Sequence, residues 1–132
     1  MQSRQRSAPK RWMLVSASVL LFASAMAIAS PSNKWRIQVS SDADSDGVVV
    51  FHIAPLKDAA VDVSVAIPKD ANENHVARLI RDQLRAKLGN SYRIEVDDGE
   101  DVLIKKHLGD ANFDLTITQQ TAKGVRITLD KE

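Results

Sequence analysis

The sequence predicts an α+β domain in which one amphipathic helix packs on one face of a mainly antiparallel sheet of about seven strands. Three observations lead to this fold class. Apolar residues recur with a period of two in seven segments and with a period near 3.6 in one segment, and short glycine-containing links join several strands. Because the helical segment follows the third strand, the expected order is three strands, one helix and four strands.

The first three strands are predicted from alternation and from β-branched residues. The segment from Trp35 to Val39 alternates with polar residues, which indicates a strand with one face in water. The run from Val48 to Ile53, which is apolar except for His52, is typical of an interior strand that is covered on both faces. A third alternating segment runs from Val61 to Ile67 and ends before Pro68, which cannot donate to a β-ladder.

The helix is predicted from Ala71 to Leu88. Asp70 and Glu73 have the spacing at which an N-cap residue and a reciprocal carboxylate satisfy free backbone amides. Gly89 follows as the stop signal. Apolar residues at spacings of three and four form one stripe, which consists of Val76, Leu79, Ile80, Leu84 and Leu88.

Four further strands follow the helix, because the period returns to two. The turns Asp46-Gly47, Asp97-Asp98-Gly99 and Lys123-Gly124 each supply the glycine that a tight hairpin needs at positive φ. The strand-forming residues are Tyr92, Ile94 and Val96, then Val102 and Ile104, then Phe113, Leu115 and Ile117, and finally Val125, Ile127 and Leu129.

Residues 1–29 have the order of features expected of a secretory signal peptide. Four basic residues (Arg4, Arg6, Lys10 and Arg11) precede the apolar run from Trp12 to Ala29, which ends in Ala27-Ile28-Ala29. We expect cleavage after Ala29, which leaves residues 30–132 as a single exported domain, periplasmic or secreted. The alternative is a retained inner-membrane anchor, since a mainly apolar run of 18 residues is at the short limit for a membrane-spanning helix.

Charge and cysteine content restrict the partner classes. Residues 30–132 keep 14 of the 18 basic residues and all 17 acidic residues, so their formal charge is −3. Nucleic acid is therefore not an expected partner, because binding to phosphates depends on clustered cations. The chain contains no cysteine, which excludes disulfides and thiol chemistry.

One acidic segment resembles the first half of an EF-hand calcium loop. Asp42, Asp44 and Asp46 alternate ahead of Gly47, as oxygen ligands do in that family. The position of the closing bidentate glutamate holds Ile53, so the resemblance implies weak Ca²⁺ binding at most. The alternative is a hairpin tip whose carboxylates bond nearby amides. A second acidic cluster, at the other hairpin tip, comprises Asp97, Asp98, Glu100 and Asp101.

Arg78, Arg81 and Arg85 lie at helical spacing beside the apolar stripe. Guanidinium groups pair with anionic oxygens, so these residues are candidates for binding an anionic partner. The alternative is a set of surface ion pairs, since Asp82 lies within pairing distance of Arg78 and Arg85 on a helix.

No catalytic motif stands out. The three histidines, His52, His75 and His107, lack metal-ligand spacing, and we expect His52 to be buried and hydrogen-bonded. An enzyme is not the expected class. A small periplasmic hydrolase stays an alternative if a pocket brings His52 or His107 to a carboxylate.

One helix shelters only about two or three strands, so seven strands leave apolar surface to be covered. We expect partial curling of the sheet and an interface on the last two strands, with Phe113 and Ile127 as contact residues and a homo-oligomer as one outcome. The predicted function is a non-catalytic exported module of the envelope that binds another protein or an anionic envelope polymer. No cofactor is expected, apart from the calcium alternative.

Overall fold

The computed structural model describes residues 31–132, so the expected signal peptide of residues 1–29 lies outside the described residues. The described chain forms strands and one helix in the predicted order, and a short 3-10 turn, Gly89–Ser91, follows the helix. The elements are β1 (Lys34–Ser40), β2 (Gly47–Pro55), β3 (Val61–Ile67), α1 (Glu73–Leu88), β4 (Tyr92–Asp97), β5 (Asp101–Lys106), β6 (Phe113–Gln120) and β7 (Arg126–Lys131).

The strands form two antiparallel sheets, where the sequence predicted one curled sheet. A four-stranded sheet has the order β4-β5-β1-β7, and a three-stranded sheet has the order β3-β2-β6. β1 and β2 are consecutive in the chain, yet each is an interior strand of a different sheet, so the loop 41–46 crosses between the sheets. The α+β class and the antiparallel pairing are confirmed.

Both sheets and the helix enclose one hydrophobic core. α1 packs against β3 of the three-stranded sheet and against β4, β5 and β1 of the other sheet, so it does not lie on one face of a single sheet. The helix thereby closes one side of the space between the sheets. The largest fully buried side chains are Phe51, Phe113, Ile37, Ile53, Ile67, Ile80, Leu84, Ile104 and Leu115. Among the described residues, no helix combines the length and apolar character that crossing a membrane requires.

The helix begins two residues later than the sequence predicted. Its N-cap is Asn72, whose side-chain oxygen accepts a hydrogen bond of 2.8 Å from the backbone N–H of His75. Asp70 instead has a left-handed backbone conformation, with φ of 68°, in the turn before the helix. Asn and Asp are equally good N-cap residues, so local sequence does not distinguish them. The predicted stop is confirmed, because the N–H of Gly89 bonds to the carbonyl of Arg85.

β2 is an interior strand, but only one of its faces is buried. Val49, Phe51 and Ile53 point into the core, while Val48 and Val50 on the outer face are half-buried. His52, which was expected to be buried, shares that outer face and is 37% exposed at its side chain. The run of β-branched residues therefore reflects strand propensity on both faces and burial on one.

Gly47 has a role different from the predicted one. Gly99 and Gly124 adopt positive φ as hairpin turns require, whereas Gly47 is not among the described positive-φ residues. A Cβ atom at position 47 would lie 2.2 Å from the backbone nitrogen of Ala122. Glycine is needed there because two segments of backbone approach closely.

Candidate functional site

Two strand edges flank the side of the core that lies away from α1. β6 is the last strand of the three-stranded sheet and β7 is the last strand of the four-stranded sheet. Apart from one isolated bridge at the start of β6, neither strand pairs along its outer edge within residues 31–132. We call the gap between β6 and β7 the open seam.

The open seam is bounded at both ends by hydrogen bonds. At one end, the backbone N–H of Ser32 donates to the carbonyl of Phe113 at 2.9 Å, and the N–H of Phe113 donates to the carbonyl of Ser32 at 3.0 Å. At the other end, the side-chain amide of Gln120 donates to the carbonyl of Val125 at 2.8 Å. The seam therefore runs along most of β6.

The β6 edge presents backbone groups outward. Both backbone bonds of Phe113 run to Ser32, which lies on the side away from β2. In an antiparallel strand, every second residue directs its N–H and C=O to the same side. Leu115 and Ile117 therefore direct their backbone groups into the open seam, while Asp114 and Thr116 bond to β2.

The β7 edge has the same property. Glu132 donates its N–H to the carbonyl of Lys34 at 3.1 Å, which identifies the residues that face β1. By the same alternation, Asp130 and Thr128 bond to β1, and Leu129 and Ile127 direct their backbone groups into the open seam. Two rows of hydrogen-bonding groups thus border the gap.

Apolar side chains accompany these backbone groups. Ile117, Ile127 and Leu129 are only partly buried, and all three pack against the edge of the core. Their burial is incomplete because α1 covers the opposite side of the sheets. The open seam therefore combines apolar surface with backbone donors and acceptors, which is the combination that binds an added β-strand.

The two predicted interface residues have different environments. Ile127 lies on the open seam, as described above. Phe113 is fully buried, and its ring packs edge-on against Tyr92 with ring centroids 4.7 Å apart. Its carbonyl also accepts a hydrogen bond of 2.9 Å from the indole N–H of Trp35. Phe113 is therefore a core residue, and its side chain is not available as a contact residue.

The three predicted anion-binding arginines do not act as one group. Arg81 pairs with its neighbour Asp82 at 2.9 Å. Arg85 donates twice to the carbonyl of Ile94, at 2.9 and 2.6 Å, and so fastens the helix to β4. Arg78 is exposed on the same helix. These residues lie on α1 and not beside Ile127, and Arg81 rather than Arg78 or Arg85 is the ion-pair partner of Asp82.

The acidic loop with Asp42, Asp44 and Asp46 is tied to its neighbours by hydrogen bonds. A carboxylate oxygen of Asp46 accepts a bond of 2.7 Å from the N–H of Lys69, and the N–H of Asp44 donates to the carbonyl of Lys123 at 2.7 Å. In residues 31–132, no group of three or more His, Cys, Asp or Glu side chains is placed to hold a metal ion. Weak calcium binding at this loop stays a prediction.

The second acidic turn lies at the same end of the molecule, because the N–H of Val39 donates to the carbonyl of Glu100 at 3.2 Å. Two of its carboxylates pair with a cation of β1. Arg36 pairs with Asp101 at 2.6 Å and with Asp97 at 3.2 Å. One oxygen of the buried Asp101 side chain has no hydrogen-bond partner among the described residues.

A cavity of about 600 Å³ opens at the opposite end of the molecule, between the loop after β2, the end of α1 and the loop before β6. Burial raises the pKa of Tyr92 in its wall, and the charges of Asp58 and Asp110 raise it further. The phenol of Tyr92 is therefore held in its neutral form, which does not favour a role as a base.

The histidines lie outside the wall of that cavity. His52 pairs with Asp62 at 2.6 Å on the outer face of the three-stranded sheet. The Nε2 atom of His107 lies 2.7 Å from the carbonyl oxygen of Asn90, to which it donates. The hydrolase alternative stays a prediction.

The chain matches no protein-family model, and no curated protein matches it. The candidate site therefore rests on geometry. Sequence reasoning predicted an interface on the last two strands but missed the outward backbone groups of Leu115, Ile117, Ile127 and Leu129. The direction of these groups follows from strand order, for which the local sequence carries no signal.

Proposed function

We propose that this domain is a non-catalytic exported module that binds another protein by accepting an extended segment of that protein in the open seam. The observation that carries the proposal is the pair of strand edges, one on β6 and one on β7, that have no neighbouring strand among residues 31–132. Each edge presents backbone N–H and C=O groups next to half-buried apolar side chains. An added strand would satisfy the backbone groups and cover the side chains at the same time.

The chain itself pairs once with the β6 edge. Ser32 forms an antiparallel bridge with Phe113 that uses the outward N–H and C=O of that residue. The next outward positions on β6 are Leu115 and Ile117. A partner segment that continues this pattern gains two bonds at each of these residues, which favours an extended peptide over a globular surface.

The side chains bordering the open seam indicate the chemistry of the segment. Ile117, Ile127 and Leu129 are aliphatic, so alternate residues of the partner segment should be apolar. The helix arginines give weaker support to the hypothesis of an anionic polymer as the partner, because Arg81 and Arg85 already have partners within the domain. A protein is therefore the partner class we favour over an envelope polymer.

Photo-crosslinking of the full-length chain in its native cells tests the proposal. A photoreactive amino acid is placed at position 127, on the open seam, and at position 128 as the matched control. Thr128 neighbours Ile127 on β7, but its exposed side chain points away from the core. We expect a protein adduct from position 127 and none from position 128, with the adduct mapped by mass spectrometry.

Other outcomes have distinct meanings. An adduct between position 127 and residues 1–30 of the same chain would contradict the proposal, because the chain would then occupy its own seam. An adduct with a polysaccharide would replace the protein by an envelope polymer. Equal labelling from positions 127 and 128, or none from either, would remove the open seam as a binding site. Circular dichroism of both variants confirms that each is folded.

A further inference from the structure

Two leucines are exposed at one end of the domain. The relative exposures of Leu56 and Leu108 are 64% and 104%, and these are the exposed large apolar side chains among residues 31–132. Leu56 follows the last residue of β2, and Leu108 lies in the loop between β5 and β6. An aliphatic side chain in water costs free energy, so two at one end of a small domain indicate a surface that contacts something apolar.

The two leucine loops are neighbours in the fold. The N–H of Leu56 donates to the carbonyl of Asn112 at 3.0 Å, which ties the loop after β2 to the end of the loop that carries Leu108. Pro55 and Phe113 are also opposite each other in the β2–β6 ladder. We call this end of the domain, with loops 56–60 and 107–112, the leucine end.

Lysines surround the leucines. A shallow depression beside Leu108 is lined by Lys34, Lys105, Lys106 and His107. Lys34 and Lys105 form ion pairs with Glu132 and Glu95, whereas the ammonium of Lys106 donates to the carbonyl of Asp110 at 2.6 Å. Lys57 adjoins Leu56, and both Lys57 and Lys87 line the neighbouring cavity, together with Asp58 and Asp110.

The other end of the domain is acidic. It carries the loop 41–46, the start of α1 and the β4–β5 turn, with Lys69, Lys123 and Arg36 as nearby cations. The acidic residues at that end are Asp42, Asp44, Asp46, Asp70, Glu73, Asp97, Asp98, Glu100 and Asp101. The leucine end carries lysines and carboxylates in similar numbers, so an anionic surface would repel the acidic end more strongly than the leucine end.

The described chain also starts at the leucine end. Ser32 bridges to Phe113, and the carbonyl of Asn33 accepts a bond of 3.1 Å from the N–H of Lys106. The apolar run from Trp12 to Ala29 directly precedes this point in the sequence. Any membrane association of that run, before or without cleavage, brings the leucine end to the bilayer first.

We infer that the leucine end rests on the surface of an anionic lipid bilayer. Leu56 and Leu108 enter the interfacial layer, and Lys57 and Lys106 lie among the headgroups. Apolar side chains flanked by cations are the combination that binds anionic membranes at their surface. The site is separate from the open seam.

The absence of cysteine from the chain provides a direct test. Full-length protein with Leu108→Cys is placed on phosphatidylcholine vesicles with or without about 30% phosphatidylglycerol, and the rate of modification by a charged maleimide is measured. Lys123→Cys, at the acidic end, is the matched control. We expect phosphatidylglycerol to slow modification at position 108 roughly tenfold relative to position 123.

A charge-reversed protein identifies the cause. Adding Lys57→Glu and Lys106→Glu to Leu108→Cys should restore the rate seen on neutral vesicles, because the exposed Lys57 and the partly exposed Lys106 supply the attraction to the headgroups. Equal rates at positions 108 and 123 on anionic vesicles would overturn the inference. Slow modification at position 108 without vesicles would overturn it too, since the leucines would then be covered by a second copy of the chain.

Discussion

The core between the two sheets has two open sides, the helix side and the side of the open seam, and they are covered to different extents. On one side, α1 spans from β3 to β4 and buries Val76, Ala77, Ile80 and Leu84 completely. On the other side, the open seam leaves Ile117, Ile127 and Leu129 half-buried. Similar aliphatic residues are therefore buried to different extents on the two sides, because the single helix covers only one of them. The difference teaches that the helix side should carry more of the stability, while the seam side keeps apolar surface partly in water.

Replacing Ile80 by alanine should have the largest effect on stability. Its side chain is fully buried at the helix side, so Ile80→Ala should lower the free energy of unfolding by about 2–5 kcal/mol. Ile127→Ala should cost roughly 1 kcal/mol, since its side chain is already partly in water. Urea unfolding of both variants measures the difference, and equal losses would show that the two sides are packed alike.

Replacing Arg36 by alanine should have the next largest effect on stability. It should weaken the four-stranded sheet both toward the helix side and toward the open seam. Arg36 bonds to Asp101 of β5, toward the helix side, and to Glu132 beside β7, toward the open seam. Without it the buried Asp101 loses its cation, at a cost of about 1–3 kcal/mol. Arg81→Ala is the control, because Arg81 pairs with an exposed neighbour. Similar urea midpoints for the two variants would contradict this account.

Replacing Glu132 by glutamine should have the smallest effect, and the effect should depend on pH. Hydrogen bonds from Arg36 and then from Lys34 lower the pKa of Glu132 from 4.5 to about 2. A lowered pKa in the folded state means that the ionised group stabilises the fold above pH 4.5, and that this contribution is lost as the pH falls toward 2.

The measurement is the difference in Tm between the parent protein and Glu132→Gln across that pH range. We expect a small positive difference at pH 7 that disappears near pH 2. A difference that does not change with pH would mean that the carboxylate charge does not hold β7 against β1.

Much of the fold could be predicted because it is encoded in short-range patterns. The alternation from Val61 to Ile67 and the stripe that contains Ile80 and Leu84 depend on neighbours a few residues apart, and both were placed correctly. The division into two sheets could not be predicted, because it depends on which distant strands pair. β1 pairs with β5 and β7, and nothing local to Trp35 or Ile37 specifies those partners.

The candidate site was predictable in part for the same reason. Ile127 was identified because its strand has no helix after it, and it does lie on an incompletely covered side. Phe113 has the same alternation, yet it is buried because Trp35 and Tyr92 pack around it. In the sequence, the leucine end is marked by Leu56 and Leu108, which are single aliphatic residues within polar loops. Such residues are common, so they indicate a surface only once the structure shows that both side chains are exposed.

The close approach of Gly47 to Ala122 has a consequence for how the chain folds. Gly47 begins β2, and Ala122 follows β6, the strand that completes the pairing of β2. During synthesis from the N-terminus, β2 emerges well before β6, so one edge of β2 stays unpaired until the last part of the chain is made. Folding should therefore be slow and completed late, and the incomplete chain should be the form most exposed to aggregation.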